Sequence, residues 1–77
     1  MAEVNLYAAA KAAAGSASLS IEAADLSEVI AKLNSIGDLA KLLPTCSYLI
    51  NGIAPADQSQ ALETSDVVDV LPQFAGG

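Results

Sequence analysis

Several residue types that support common kinds of chemistry are missing or scarce in this 77-residue sequence. It contains no histidine, arginine or tryptophan. Without histidine the chain has neither a histidine-dependent catalytic triad nor a histidine-ligated metal site. The single cysteine, Cys46, excludes an intramolecular disulfide and fits a reducing compartment. Because Tyr7, Tyr48 and Phe74 are the only aromatic residues, leucine, isoleucine and valine must build the core.

Positive charge is also scarce. Three lysines stand against nine acidic residues, and the formal net charge is −6. Binding to nucleic acid or to an anionic membrane requires a basic face, so the composition argues against both as partners. An acidic surface favours solubility and would steer the chain toward a basic partner protein. The same charge balance is also common in small domains that have no such partner.

No apolar run approaches the ~20 residues of a membrane span. Residues 1–4 lack the basic and apolar regions of a signal peptide, and we therefore expect a cytoplasmic protein. The length predicts one domain with a small core and a stability of only ~3–5 kcal/mol.

Hydrophobic periodicity predicts an α+β domain. Alternating residues within 3–8 and 16–23 indicate two strands of an antiparallel hairpin, joined by a short helical turn at about 10–14 that ends at Gly15. Asp25 and Glu28 resemble a capping box, and an apolar stripe follows at helical spacing. These features predict the main helix over about residues 26–36, with Gly37 beyond its end.

The second half of the chain contains the remaining strand signals. A further helical turn over 38–43 should end before Pro44, and residues 47–50 should form a strand that enters a turn at Asn51-Gly52 with positive φ. Within an irregular stretch, Leu62 is expected to plug the core. The β-branched segment 67–71 should be the central strand of a mixed sheet of about four strands, covered on one face.

The sequence offers no convincing catalytic group of its own. Asp66 and Asp69 could form an acidic pair, although such pairs are routine on solvated faces. Cys46 has no cation near it in sequence to activate its thiol, Lys41 being the nearest, and a structural role is expected. The glycines of a phosphate-binding loop are missing. We therefore expect a chain without catalytic residues, bound cofactor or metal.

The last residues of the sequence remain as the candidate site. Pro72 cannot donate a ladder hydrogen bond, so a domain of residues 1–71 should give way there to an extended tail of residues 72–77, which spans roughly 20 Å. The tail ends on Gly76 and Gly77, and a frayed terminus is the plain alternative. The Gly77 carboxylate, with a pKa of about 3.3–3.7, is a poor electrophile. Another protein would have to activate it, which would make this chain a substrate or a carrier.

Several short segments stand in a fixed order along the chain, and each is a weak signal alone. They are Tyr7-Ala8, Lys11, Ala13-Ala14-Gly15, Asp25 to Leu33, Ile50-Asn51-Gly52, Leu62, Thr64-Ser65-Asp66 and Leu71-Pro72-Gln73-Phe74-Ala75-Gly76-Gly77. Together they resemble the sulfur-carrier branch of the ubiquitin-like β-grasp proteins, most closely the small subunits of molybdopterin synthase, and the resemblance spans the whole chain. Lys11, Ser65 and Gln73 stand where that family usually has arginine, a turn glycine and a second proline.

The resemblance implies a ubiquitin-like β-grasp fold and a sulfur-carrier function. An adenylating enzyme that uses ATP would activate Gly77, and a sulfur donor protein would then convert it to a thiocarboxylate. The tail would enter the large catalytic subunit of molybdopterin synthase and donate sulfur for the dithiolene of molybdopterin. The resemblance implies that Ala75, Gly76 and Gly77 keep the tail narrow, and that Phe74 and Pro72 make its docking contacts.

Two alternatives stay open at this stage. The chain could carry sulfur for the thiazole of thiamine, or it could be a protein modifier joined through Gly77 to lysines of other proteins. An acyl carrier protein is rejected because that family attaches its cofactor at Asp-Ser-Leu. Here the order is Asp25-Leu26-Ser27, and the strand content contradicts a helical bundle.

Overall fold

The computed structural model describes residues 1–72, and within them the chain alternates between strands and helices as the periodicity predicts. The hairpin, the helix and the two later strands all appear in the predicted order. Their bounds are β1 Ala2–Leu6, α1 Ala8–Ala14, β2 Ser18–Ile21, α2 Leu26–Leu33, α3 Leu39–Leu42, a 3-10 turn at Leu43–Thr45, β3 Cys46–Ile50 and β4 Val67–Pro72.

The four strands of this part of the chain form one mixed sheet in the order β2-β1-β4-β3. β1 pairs antiparallel with β2, which confirms the predicted hairpin. β4 lies between β1, to which it runs parallel, and β3, to which it runs antiparallel. The predicted central position of the last strand and the mixed α+β sheet are therefore confirmed.

The first helix is longer than the sequence predicts. It begins at Ala8, which was expected to continue the strand, because Tyr7 takes an extended conformation and its carbonyl accepts hydrogen bonds from the N–H groups of Ala10 and Lys11. It ends as predicted at Gly15, whose φ is 75° and whose N–H donates to the carbonyl of Lys11 at 3.0 Å. Glycine adopts this left-handed conformation without steric cost.

The main helix starts where the capping box predicts. The Asp25 carboxylate accepts a hydrogen bond from the N–H of Glu28 at 2.9 Å, and the Glu28 carboxylate accepts one from Ala24. These bonds satisfy donors that the first turn of a helix otherwise leaves unpaired. The pKa of Asp25 is lowered, chiefly by a hydrogen bond that the Ser27 hydroxyl donates to its carboxylate and then by the one from the Glu28 N–H.

The predicted end of this helix was wrong, because α2 stops at Leu33 and not at about residue 36. The Asn34 amide donates to the carbonyl of Ile30 at 3.1 Å, and the N–H groups of Ser35 and Ile36 close i→i+3 bonds. These bonds end the α-helix three residues earlier than predicted, because i→i+3 bonds wind the chain more tightly than an α-helix. Ile36 still packs against the core from the turn that follows.

One apolar core joins the sheet to the helices. It has contributions from every strand and from all three α-helices, and Leu62 fills a position in it as the sequence predicts. Each of its largest members is essentially inaccessible to solvent. These fully buried side chains are Val4, Leu6, Leu26, Val29, Leu33, Leu39, Val68 and Val70.

None of the helices within residues 1–72 is long and apolar enough to cross a lipid bilayer. α2, the longest described helix, has eight residues. A membrane-spanning helix needs about 20.

The junction between β3 and β4 is held by the side chain of Asn51. As predicted for the Asn51-Gly52 turn, both residues have positive φ, at 51° and 81°. The Asn51 side chain accepts a hydrogen bond from the N–H of Val67 at 2.9 Å and donates one to Asp66 at 2.9 Å. Asp66 also accepts from the N–H of Glu63, the main reason its pKa is lowered. One side chain thus fixes where β4 begins.

We expect Asn51→Ala to lower the free energy of unfolding by about 1–3 kcal/mol, because alanine is strained at positive φ and leaves the Val67 N–H without its acceptor. Asn51→Gly removes the strain but not the lost hydrogen bonds, so it should cost roughly half as much. Chemical denaturation of both variants checks this. Equal losses in the two variants would contradict the role assigned to the backbone conformation.

Candidate functional site

The central strand leads directly to the tail. The N–H of Asn51 donates to the carbonyl of Val67, whereas the N–H of Ile50 points away from β4 and donates to Ile53. Hydrogen-bonding groups alternate in direction along an antiparallel strand. The backbone N–H and C=O groups of Leu71 therefore face β3, and the backbone nitrogen of Pro72 faces the side of β1.

Pro72 lies in β4 opposite Cys46, one residue beyond the predicted domain boundary at 71. β1 ends at Leu6, which is opposite Val70. The missing N–H of proline thus falls where no β1 residue remains to accept a hydrogen bond, so proline is tolerated there.

The other predicted site residues, Phe74, Ala75, Gly76 and Gly77, lie outside the described residues. Their assigned roles stay predictions. What the structure places is the root of the tail, at the end of β4, one of the two described strands that are paired on both sides.

One face of the sheet has no described helix packed over it, and the root of the tail lies beside this face. We call it the open face. In β4 the partly buried Val67, Asp69 and Leu71 alternate with Val68 and Val70, which are fully buried on the other face. Cross-strand register adds neighbours from β1, β2 and β3. The open face comprises Glu3, Asn5, Ser18, Ser20, Ser47, Leu49, Val67, Asp69 and Leu71.

Sequence reasoning missed the open face as a candidate surface. The available signal was the pattern of β4, where Val67 and Leu71 are apolar although they share a face with Asp69. The contribution of Leu49 was not foreseeable, because it depends on the register that places it opposite Asp69. Together these residues form an apolar strip with acidic neighbours, a composition that fits contact with a protein partner carrying basic groups.

Asp69 accepts hydrogen bonds from two side chains, one in β1 and one just after it. The Asn5 amide and the Tyr7 hydroxyl both donate to one Asp69 carboxylate oxygen at 3.3 Å. Desolvation and the nearby carboxylate raise the pKa of Tyr7. Tyr7 and Lys11 also line a shallow cavity of about 530 Å³ at this end of the sheet, which brings two residues of the proposed family resemblance together.

The two carboxylates considered as an acidic pair are engaged separately. Asp66 accepts from Glu63 and Asn51, whereas Asp69 accepts from Asn5 and Tyr7. The two carboxylates share no hydrogen-bond partner and do not bond to each other, unlike those of a catalytic dyad. In residues 1–72 there is also no group of three or more cysteine, aspartate and glutamate residues arranged to hold a metal ion.

A second cavity, of about 200 Å³, lies on the helix side of the tail root. Cys46 lines it, is half-buried, and donates a hydrogen bond from its thiol to the carbonyl of Leu42 at 3.2 Å. Burial raises the pKa of the Cys46 thiol, which fits the expected structural role and not a reactive thiolate. Tyr48, also in the wall, donates its hydroxyl to the carbonyl of Leu43 at 3.3 Å.

Comparison with solved structures identifies the fold. A chain from the protein–protein complex of subunits 1 and 2 of molybdopterin-converting factor from Helicobacter pylori 26695 matches with a TM-score of 0.80 and 28% identity, covering 99% of this chain and 97% of that one. Small archaeal modifier protein 1 from Methanosarcina acetivorans matches with a TM-score of 0.89 and 22% identity, covering 99% and 95%. The chain has the ubiquitin-like β-grasp fold.

A putative subunit 1 of molybdopterin-converting factor from Pyrococcus furiosus also matches, with a TM-score of 0.81 and 20% identity over 95% of this chain and 97% of that one. Comparisons of sequence alone found no matching family model and no matching curated protein. The structural neighbours of this β-grasp chain thus include converting-factor subunits and small modifier proteins, and the resemblance to the small subunit of molybdopterin synthase is confirmed at this level.

The two tyrosines should titrate separately at alkaline pH. Burial, with a smaller contribution from Cys46, raises the pKa of Tyr48 to about 12. An unfolded tyrosine titrates near 10. The unfolded chain therefore loses its proton first, and stability contributed by neutral Tyr48 is present below pH ~10 and lost as the pH rises toward 12. Absorbance titration of Tyr7→Phe should show only this late ionisation, and a midpoint near 10 would contradict the burial of Tyr48.

Proposed function

We propose that this β-grasp chain is a sulfur carrier whose carboxyl-terminal glycine becomes a thiocarboxylate that donates sulfur for the dithiolene of molybdopterin. The observation that carries the proposal is the likeness, over 99% of this chain, to a chain from the complex of subunits 1 and 2 of molybdopterin-converting factor. The proposal requires Gly77 to be the carboxyl-terminal residue of the working protein.

The proposed chemistry starts from an unreactive carboxylate. An adenylating enzyme would transfer AMP from ATP to the Gly77 carboxylate, release pyrophosphate and form a mixed anhydride, which is electrophilic. Sulfur at the oxidation level of sulfide, supplied by a sulfur donor protein, would then displace AMP and leave the thiocarboxylate. This chain would supply the reacting carbonyl carbon, and ATP would bind to the activating enzyme.

The tail residues would act mainly through their size. Ala75, Gly76 and Gly77 carry little or no side chain, so this stretch can pass through a narrow channel into a partner's active site. Phe74 and Pro72 would make the docking contacts. The acid and base groups for sulfur transfer would come from the large subunit, because residues 1–72 bring no such constellation to the tail root.

The partner would be the large catalytic subunit of molybdopterin synthase. Support comes from the matching chain, which belongs to a complex of two subunits. The open face lies beside the tail root and combines apolar Leu49, Val67 and Leu71 with acidic Glu3 and Asp69. A partner with an apolar patch and basic rim would cover this face while it receives the tail.

A second candidate function is protein modification. The likeness to small archaeal modifier protein 1, with its TM-score of 0.89, favours it. In that case the activated Gly77 would form an amide with a lysine of another protein and would not keep sulfur. A carrier for the thiazole of thiamine uses the same first steps, and the large subunit that co-purifies would separate it from the molybdopterin pathway.

Intact mass spectrometry tests the carrier proposal. In protein co-expressed with its activating enzyme, we expect a fraction of the chain to exchange one oxygen for sulfur, with the exchange located at Gly77 by fragmentation. Deletion of Gly77 should abolish the exchange and leave the fold intact, because terminal residues contribute little to the core. Lysine conjugates without any such exchange would favour the modifier function, and a truncated chain that fails to fold would make the tail structural.

Docking through the open face can be tested with Leu71→Ser. The few residues whose loss costs more than 1 kcal/mol cluster near the centre of an interface, and Leu71 beside the tail root would be one of them, so we expect the affinity for the large subunit to fall about tenfold. Ala31→Ser, on the exposed side of α2, is the matched control and should bind normally. Calorimetric titration measures both. Equal affinities for the two variants would place the partner on another surface.

A further inference from the structure

The Asn51-Gly52 turn places an unhindered backbone nitrogen directly after an exposed asparagine side chain. Gly52 has no side chain beside that nitrogen, and a Cβ built on it would meet nothing within 4 Å. Within residues 1–72, no backbone carbonyl accepts a hydrogen bond from the N–H of Gly52. The nitrogen is therefore accessible and has no bond to a carbonyl to give up before it reacts.

The other two asparagines of the sequence lack this combination. Asn5 precedes Leu6, which is buried and whose N–H donates to a backbone carbonyl at 2.8 Å. Asn34 precedes Ser35, whose N–H donates to a backbone carbonyl at 3.2 Å. In both cases the following residue carries a side chain and its nitrogen already has a partner. Asn51 is thus the asparagine best placed to react with the nitrogen that follows it.

The fold restrains the same side chain at both of its amide atoms. Oδ1 of Asn51 accepts from the N–H of Val67 at 2.9 Å, and Nδ2 donates to the Asp66 carboxylate at 2.9 Å. The turn itself is closed, because Ile50 and Ile53 exchange both of their backbone hydrogen bonds, at 2.8 and 3.0 Å. Attack on the amide carbon makes that carbon tetrahedral and releases Nδ2, so these side-chain bonds must break for a reaction to proceed.

We propose that Asn51 is a deamidation site whose rate is set by its two contacts with the start of β4. The Gly52 nitrogen loses its proton and bonds to Cγ of Asn51, which closes a five-membered succinimide ring. The Cγ–Nδ2 bond breaks, and Nδ2 leaves as ammonia with that proton. Water then opens the ring at either carbonyl and gives aspartate or isoaspartate, with no oxidation or reduction. In the folded chain the first step waits for the junction of β3 and β4 to open.

Either product removes the link that Asn51 provides. In the aspartate product a second carboxylate replaces the amide donor opposite Asp66, which already accepts from the N–H of Glu63 at 2.8 Å. Two carboxylates at this separation repel each other. The isoaspartate product adds one carbon atom to the backbone, so the two-residue turn between Ile50 and Ile53 loses its length. The modification is therefore a one-way loss of the contact that fixes where β4 begins.

Peptide mapping by mass spectrometry tests the site after incubation of the free chain in mildly alkaline buffer. No activating enzyme or large subunit is present, so the result is independent of the sulfur-carrier function. We expect conversion at Asn51 to exceed conversion at Asn5 and Asn34, which are internal controls. In denaturing urea the contacts with β4 are absent, and conversion at Asn51 should be at least about tenfold faster. Faster conversion at Asn5 or Asn34, or equal rates at Asn51 with and without urea, would overturn the proposal.

Asp66→Ala tests the restraining contact, because it removes the acceptor of the Asn51 amide and leaves the Asn51-Gly52 sequence unchanged. We expect conversion about tenfold faster than in the parent in native buffer, and equal to the parent in urea. Asp38→Ala is the matched control: it removes an exposed carboxylate that lies 3.9 Å from Lys41, and it should convert at the parental rate. Equal native rates in all three proteins would contradict the restraint. Circular dichroism checks that the variants are folded, and the comparison of the parent with and without urea stands in either case.

The consequence of the reaction is tested with Asn51→Asp, which reproduces the aspartate product. Its urea midpoint at neutral pH should lie below that of the parent, because the new carboxylate faces Asp66. Gln58→Glu is the matched control: it adds the same charge at an exposed position, and its midpoint should stay near the parental one. A midpoint of Asn51→Asp equal to that of the parent would refute the loss of the junction.

Discussion

Pairing of β4 on both sides is the constraint on which the rest of the structure depends. This strand is added last in sequence, yet it joins the amino-terminal hairpin to β3 through one parallel and one antiparallel ladder. Neither half of the chain can complete the sheet without it. Its inward residues Val68 and Val70 are fully buried, so the same strand also closes the core. A tail attached to this strand starts at Pro72, which β3 still holds through its pairing with Cys46.

Because the core of so short a chain is small, polar side chains fix its geometry at the points where elements meet. Asn51 links the end of β3 to the start of β4, and Asp25 with Glu28 sets the first turn of α2. These groups are at the surface, and each individual bond contributes modestly to stability. Their importance is positional: a one-residue slip at Asn51 would turn the inward face of β4 outward.

The sequence was sufficient for the order of elements, because strong local signals marked most of them. The capping box at Asp25, the glycine at position 15 and the Asn51-Gly52 turn each act over a few residues and were confirmed. The end of α2 was missed because Gly37 suggested a later stop, whereas Asn34 and Ser35 closed the helix through side-chain and i→i+3 bonds. The open face was missed for another reason. Register between distant strands is a tertiary property that no local pattern contains.

The position of Pro72 shows how the fold sets the length of the tail. A proline at 71 would remove a hydrogen bond to β3, because the backbone N–H of residue 71 faces that antiparallel partner. A proline at 73 would allow the ladder to continue by one more residue. At 72 the missing N–H faces the side where β1 has already ended at Leu6, so the strand stays intact while its continuation is discouraged. The five residues that follow can extend by roughly 17 Å.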